Sequence, residues 1–510
     1  MDQDKGTPVM ADKEIEVCQQ KIMEIIASAK NEAGALPDHI VNGSDAAKAI
    51  AGVYAAMGEI YLGREALDAA KACFDAALQL DPHQWAARLL SLKTKKSSPE
   101  DMAKAILQGL VVERPQDASL HSQLGKIHYD HQEGEAALDS YRKAFAANPK
   151  DATNLYGIAN AQLSMGDIKA AEESYVRAIR FSPLLKTPAN KPEPDFSVLN
   201  ILSPFAGNTP TDYLVQDAPF ETNHFTFLKD QEYDINLLKS SGQVVVNIVS
   251  EADMAHDVLP QVKQLLDRLD MPVIKHPSKI QKTTREDIER LLRDIPGCRL
   301  ARVARHVAGE PTDAAALESL IPFLFPVLAR PTGTHGGKKF EKIDSLSALE
   351  SFIKQEPEVD HYLIEYVDYK SLSGHFRKYR FIFVDDQVMP YHLAIGDNWK
   401  VHHGTTDMAN HQWMQDEEKE FLARPETFFS EENFRALRTI QKSVGLEYFG
   451  IDCGLNQAGE LVVFEVNASM LVHDHNKQFP YKSPFVHKIK KAFENMLRKH
   501  ALEHGRAAPR

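Results

Sequence analysis

Pro82, Pro115, Pro149 and Pro183 stand 33, 34 and 34 residues apart, and each closes a segment in which small and bulky residues recur at fixed offsets. The first segment carries Tyr54, Gly58, Tyr61, Ala70, Phe74 and Ala77. The third carries Leu124, Gly125, Ala137, Tyr141 and Ala144, and the fourth Leu155, Ile158, Ala171, Tyr175 and Ala178. The second keeps Ala103 but has Leu107 and Leu110 where the others place an aromatic and an alanine, which makes it a degenerate copy. Units of this length stack, each burying its apolar face against its neighbours. Small residues let the two helices of a unit approach closely, and the aromatic fills the gap to the next unit. Ahead of them, Ile15, Cys18, Ile22, Ile25 and Ile26 fall at helical spacing within residues 12–33 and predict an amphipathic capping helix.

This pattern resembles a four-repeat tetratricopeptide array over about residues 48–185. The resemblance implies a concave groove that holds an extended peptide or a partner protein. The alternative is an array that only supports dimerisation or packs against the rest of the chain. Between Ser182 and Asp195 stand Pro183, Pro188, Pro192 and Pro194 with few apolar residues, which marks a linker. Beyond it the periodicity changes. Short apolar strands are expected at Phe196 to Leu202, Val244 to Val249 and Pro272 to Ile274, with a helix at Leu259 to Leu269. Strand, helix and strand at these lengths suggest a small open α/β domain with a parallel sheet.

The chain has 510 residues, 43% of them hydrophobic, enough for two to four domains with real cores. A net charge of −13 argues against a general nucleic-acid surface. No apolar run approaches the roughly 20 residues of a membrane span, and the polar start lacks a signal core. Cys18, Cys73, Cys298 and Cys453 lie far apart, without metal or redox spacing, and point to a reducing cytoplasm.

Tyr448 to Ser469 reads as two strands joined by a turn at Asn456-Gln457-Ala458-Gly459. Glu465 and Asn467 are two apart on the second strand and share a face, and Asp452 on the first can lie opposite them. Two carboxylates and an amide oxygen make a hard oxygen site suited to Mg²⁺. An ordinary hairpin with acids on its solvent face is the plain alternative. Cys453, pointing the other way, reads as a small core hydrophobe. Upstream, a strand delivers Arg330 into a loop with Gly333, Thr334, Gly336 and Gly337, where backbone amides can approach an anion. Tyr362 to Asp368 reads as a strand ending in acids, and Arg377 to Val384 as a strand with Arg380 at its entrance.

In this order the parts resemble the ATP-grasp fold. About residues 195–498 are similar to ATP-grasp ligases, most closely those that add amino acids to protein or peptide carboxylates, including ribosomal-protein glutamate ligases and glutathione synthetase relatives. Phe464-Glu-Val-Asn-Ala-Ser469 is the most specific motif. The expected fold is multidomain: an α-helical repeat solenoid over 12–185, an α/β pre-ATP-grasp domain over 195–280 and an α+β ATP-grasp domain over 281–498. The resemblance assigns Asp452, Glu465 and Asn467 to Mg²⁺, and backbone groups of Glu365, Tyr366 and Val367 to adenine, with Asp368 a candidate for the ribose. It assigns Arg330, Gly333, Thr334, Gly336 and Gly337 to the phosphates, Arg380 to the γ-phosphate or developing acyl phosphate, and Arg285 to a further phosphate contact. Arg330 and Arg380 are thus the expected catalytic cations. Arg330 stands where the family usually has lysine, a second lysine near Arg285 is not evident, and Met470-Leu-Val-His-Asp-His475 replaces the usual Pro-Gly.

The implied chemistry joins a carboxylate to an amine with ATP and Mg²⁺ through an acyl phosphate, on a peptide or protein brought by the repeats. No nucleic acid or membrane partner is expected, and a homodimer is possible. A scaffold that binds ATP without turnover, and a ligase for a small molecule, stay open. Lys400, His402, His403, His473 and His475 are either substrate contacts or surface residues. Surface helices are expected at Glu417 to Leu422 and Ser430 to Val444, with Ser430 as N-cap. A final helix should carry Phe485, Ile489, Phe493 and Leu497 as its apolar stripe, followed by a loose last dozen residues.

Overall fold

The small-and-bulky spacing becomes helix pairs in which glycines receive rings. A computed structural model describes residues 15–27, 45–64, 66–81, 84, 99–334, 339–401 and 406–507. The chain divides into two units, Met1–Ser182 and Pro183–Arg510. In the first unit, helix α1 (residues 15–27) sets Ile15, Cys18 and Ile22 against Met57 and Cys73. Helices α2 (Asp45–Gly63) and α3 (Leu67–Leu80) form the first pair, and α4 (Pro99–Glu113) precedes the second, α5 (Ala118–Asp130) with α6 (Gly134–Ala147). A further pair is α7 (Thr153–Ser164) with α8 (Ile168–Phe181). Pro82 and most of the first half of the degenerate segment lie outside the described residues. Asp117 and Asp167 cap α5 and α8 by accepting backbone N–H groups of the first turn.

The glycines have a steric reason. A Cβ on Gly58 would lie 2.4 Å from the buried Phe74 ring, and one on Gly157 would lie 2.6 Å from Tyr141. Gly125 meets the same Tyr141 ring, at 3.0 Å, so one aromatic is seated against glycines of two successive pairs. Gly157→Ala is therefore expected to lower the urea midpoint of the helical signal, by about 1–3 kcal/mol of overpacking. An exposed helical glycine would gain about 1 kcal/mol from the same change. A raised midpoint would contradict this packing.

The second unit holds three sheets. β1 (Leu184–Thr187), β2 (Ser197–Leu202), β3 (Glu221–Thr226), β4 (Val244–Asn247) and β5 (Val273–Ile274) form an open sheet in the order β1-β3-β2-β4-β5. All neighbours are parallel except the edge strand β1. Helix α9 (Leu259–Leu269) covers one face through Val262, Leu265, Leu266 and Leu269. β6 is Cys298–Leu300, and β7 (Val303–His306), β8 (Val327–Pro331), β9 (Glu341–Ile343) and β10 (His361–Glu365) supply the second sheet, antiparallel in the order β7-β10-β8-β9. Helix α10 (Arg285–Leu292) places Ile288 and Leu292 in the core that holds α9, while with α11 (Leu346–Ile353) the second sheet has a core of its own, in which Val327, Ala329 and Leu363 pack on Leu349 and Ile353.

The third sheet runs β12 (Gln387–Gly396), β11 (Phe376–Val384), β13 (Tyr448–Leu455), β14 (Leu461–Asn467), β6, and only the last pair is parallel. Tyr379, Phe381, Phe383, Phe449, Ile451 and Cys453 pack beneath α12 (Gln412–Ala423) and α13 (Glu431–Val444) in one core with the first sheet. Ser430 and Asn433 form a capping box at the start of α13. Helix α14 (Ser483–Ala507) buries Ile489, Phe493 and Leu497 in a second core.

Three expectations need correction. Arg380 sits in the middle of β11, not at its entrance, and the strand before it ends at Glu365 rather than Asp368. The last dozen residues are helical as far as Ala507. No helix among the described residues is long and apolar enough to cross a membrane.

Candidate functional site

The β13–β14 hairpin turns where its sequence suggests. Gly459 takes a positive φ of 79°, and the Asn456 side chain accepts the N–H groups of Ala458 and Glu460. Asp452 and Glu465 are direct cross-strand partners, and Asn467 lies opposite Gly450. The register shifts by one residue between Asp452 and Cys453, which leaves Phe464 as the extra residue of a bulge. In strict alternation Glu465 would share a face with Val463, which is in the core. The bulge instead sends Val463 and Val466 into the core while Phe464, Glu465 and Asn467 line one cleft. Gly454 leaves room for the Phe464 and Tyr369 rings, 2.9 Å from where its Cβ would be.

The cleft lies between the second and third sheets and has two characters. At one end Leu328 and Ile364 of the second sheet face Val462 and Phe464 of the third, beside Tyr366 and Val367. At the other end Arg285, Arg330, Lys378 and Arg380 gather with Asp452, Glu465 and Asn467. Phe340, Tyr366 and Trp399 stand near its mouth with ring centroids 5.4 and 6.3 Å from Trp399, and Lys400 donates to the Phe340 carbonyl at 3.0 Å.

Charges at the polar end are paired. Arg380 grips Asp452 with two bonds, Nε to Oδ1 at 2.6 Å and Nη2 to Oδ2 at 2.9 Å, and Lys378 Nζ stands 3.1 Å from Oδ2. Burial alone would raise the Asp452 carboxyl, but Arg380 and Lys378 outweigh it and hold the group well below the ordinary range. Glu465 is likewise lowered against its burial by Arg285, whose Nη2 lies 3.0 Å from Oε2. Arg330 differs. Its guanidinium donates to Thr334 Oγ1 at 3.0 and 3.2 Å, and burial beside Arg285 brings its pKa down to about 10. A cation destabilised in this way gains from an incoming anion.

Asn467 is held from behind. Its Oδ1 accepts the Ser469 N–H at 2.7 Å, and the Ser469 and Ser250 hydroxyls meet at 2.6 Å. The fully buried Lys275 donates to the Ala468 carbonyl at 2.6 Å and to Thr209, whose hydroxyl also bonds Ser250. These bonds join the end of β14 to the loops after β2 and β4.

Of the residues singled out by sequence, Arg285, Arg330, Glu365, Tyr366, Val367, Arg380, Lys400, Asp452, Glu465 and Asn467 line this cleft. Gly333 and Thr334 line an annex that shares Arg285, Arg330, Glu465 and Asn467 with it. Gly336, Gly337, His402 and His403 lie outside the described residues. Asp368 is exposed, caps the Lys370 N–H at 3.0 Å and is not among the lining residues. The Glu365 carboxylate is taken by Arg299 and Arg302 at 3.1 Å. His473 and His475 stack on each other, 6.1 Å apart, and neither is among the lining residues. Sequence reasoning missed Lys378, although its position two residues before Arg380 puts both on one strand face.

The donor set fits Mg²⁺. It offers only oxygen ligands, from adjoining strands, and each carboxylate oxygen engaged by a cation keeps a second lone pair. Among the described residues no group of three or more His, Cys, Asp and Glu side chains is arranged to hold a metal ion by itself, and the set here is two carboxylates and one amide.

Residues 51–84 and 152–183 match the family model of the tetratricopeptide repeat, so the helical unit contains such repeats. No curated protein matches the chain by sequence. Several solved structures resemble it in part. The VanG D-Ala:D-Ser ligase of Enterococcus faecalis is 12% identical, with a TM-score of 0.38, over 60% of this chain and 98% of that one. The ATP-grasp ligase PsnB, complexed with precursor peptide PsnA2 and AMPPNP, is 14% identical, with a TM-score of 0.36, over 60% and 100%. Carboxyaminoimidazole ribonucleotide synthase of Aspergillus clavatus, complexed with ATP, is 12% identical, with a TM-score of 0.37, over 57% and 76%.

Proposed function

We propose that residues 183–510 form an ATP-grasp ligase that uses ATP and Mg²⁺ to join a carboxylate to an amine, and that the repeats recruit a peptide or protein substrate. The observation that carries this is the two-ended cleft, in which an apolar slot opens onto four cations facing two carboxylates and an amide. Leu328, Ile364, Val462 and Phe464 would hold the purine, and the backbone of Tyr366 and Val367 would meet it. Arg285 and Arg330 meet the phosphates. Asp452, Glu465 and Asn467 would hold Mg²⁺, whose charge neutralises the phosphate oxygens. Arg380 and Lys378 add positive charge where the γ-phosphoryl group passes to the substrate carboxylate. The neutral amine nitrogen then attacks the acyl carbon, the C–O bond to phosphate breaks, phosphate leaves with the electron pair, and the surplus proton of the nitrogen passes to the departing phosphate. No side-chain nucleophile is needed.

One observation favours a second reading, a nucleotide-binding scaffold without turnover: both oxygens of Asp452 are already bonded to Arg380. ADP release on mixing the chain with MgATP and pairs of candidate carboxylates and amines separates the two. Binding of MgATP with no ADP for any pair would favour the scaffold. Recruitment is tested by removing residues 1–182, a cut that spares β1. Nucleotide binding is expected to persist while the rate on a large substrate falls, and equal rates with and without the repeats would contradict recruitment.

A further inference from the structure

The hairpin that carries Asp452, Glu465 and Asn467 is closed by its turn at one end and tied by Lys275 at the other. Its ladder runs out at Gly450 and Asn467, the last cross-strand pair. Lys275, just after β5, meets both strands where they leave the sheet. Its backbone N–H donates to Glu447 Oε2 at 2.7 Å, immediately before β13, and its ammonium donates to the Ala468 carbonyl at 2.6 Å, immediately after β14.

The lysine reaches both ends in a backbone conformation it seldom adopts, with φ at +62°. Such a conformation persists where the surroundings over-determine it. Here the Lys275 carbonyl accepts from Asn247 Nδ2 at 2.9 Å, the ammonium also donates to Thr209, and Lys279 holds Glu447 at 2.5 Å. The ammonium stands 5.9 Å from the centre of the ring of Tyr448, the first residue of β13, whose hydroxyl donates to the Met470 carbonyl at 2.9 Å. Both Lys275 and Tyr448 are fully buried. Burial lowers the Lys275 ammonium to about 7, so the charge is costly here. A methionine would fill the same space without that cost, and packing alone therefore does not account for the lysine.

The separation of the two strand exits is thus set from outside the hairpin, and it governs how far Asn467 stands from Asp452 and Glu465. Mg²⁺ takes oxygens at about 2.1 Å in a near-octahedral set, whereas Ca²⁺ takes them at about 2.3–2.6 Å in looser geometry, so a set that cannot expand favours Mg²⁺. We propose that Lys275 is a positioning residue: by pinning the open end of the hairpin it keeps Asp452, Glu465 and Asn467 at the spacing of Mg²⁺ and disfavours Ca²⁺. The metal in this statement rests on the ligase reading, and the hold on the hairpin does not.

The test compares the full-length wild type with Lys275→Met in two measurements. In the first, AMPPNP binding is followed calorimetrically in Mg²⁺, in Ca²⁺ and in EDTA. The wild type is expected to need at least about tenfold less Mg²⁺ than Ca²⁺ for half-saturation. Lys275→Met should raise the Mg²⁺ requirement by about tenfold or more, the usual loss when a residue supporting a metal ligand is removed, and the Ca²⁺ requirement by less. AMPPNP affinity in EDTA and the melting temperature should stay as they are. In the second, hydrogen exchange over residues 466–472 of the nucleotide-free protein should quicken in Lys275→Met, while the turn at residues 456–459 keeps its rate. An unchanged ratio of the two ions, an equal loss of affinity in EDTA, a wild type indifferent to the ions, or unaltered exchange over residues 466–472 would overturn the proposal. Glu447→Ala, which removes the other anchor, should act in the same direction; if Lys275→Met does not fold, wild-type ion preference and exchange in Glu447→Ala would overturn it instead. A wild type that binds AMPPNP with neither ion would sink the ligase reading, and the exchange measurement would still decide the hold on the hairpin.

Discussion

Glu465→Gln is expected to cut ADP formation by about 10³-fold or more while the chain keeps its melting temperature to within a few degrees. The amide preserves shape and can still accept from Arg285, so packing is little disturbed, but it removes one of two carboxylates offered to the metal. Charge stabilisation at a phosphoryl-transfer centre is worth several kcal/mol, and about 4 kcal/mol corresponds to a thousandfold. Asn467→Ala should act in the same direction, with a higher Mg²⁺ requirement. Full turnover in either variant, measured by coupled ADP assay, would remove both residues from the metal set.

The largest stability effect is expected at Arg380→Leu. Asp452 is 6% exposed and both its oxygens lean on Arg380, so the substitution strands a buried carboxylate that Lys378 alone must balance. A broken buried pair costs about 3–5 kcal/mol, and the remaining lysine places this case near the lower figure. The pH dependence has a definite sign. In the wild type the Asp452 carboxyl is held below its unfolded value, so its stabilisation is present above the ordinary aspartate range and is lost as pH falls through the folded value. In Arg380→Leu that carboxyl can take up a proton, so the deficit should be greatest near neutrality and shrink toward about pH 4. Arg380→Leu combined with Asp452→Leu should recover most of the loss, because an apolar pair replaces an ion pair at little cost. Denaturant titrations of the two variants at neutral pH check this, and a double variant no more stable than the single would contradict it.

These expectations rest on features that differ in how far residue order reveals them. The repeats are legible because steric need recurs at a fixed interval: Gly58 and Phe74, or Gly125 and Tyr141, must appear together for a ring to be seated. The hairpin is legible because Asn456 and Gly459 announce the turn and alternation puts Glu465 and Asn467 on one face. The bulge at Phe464 is not legible. It is a single unpaired residue fixed by the register against β13, and without it the same alternation would aim Glu465 at the core. Asp368 misleads because an acid following a strand can as well cap its own turn, here at Lys370.

The stitching of Lys275, Thr209, Ser250 and Ser469 has a mechanical consequence. It fuses the floor of the cleft into one stiff block, so Asn467 cannot drift without dragging the open sheet along. The four-stranded roof packs on a core of its own and reaches this block through side chains, with Tyr362 Oη 2.6 Å and Arg305 2.7 Å from Asp253 in the loop after β4.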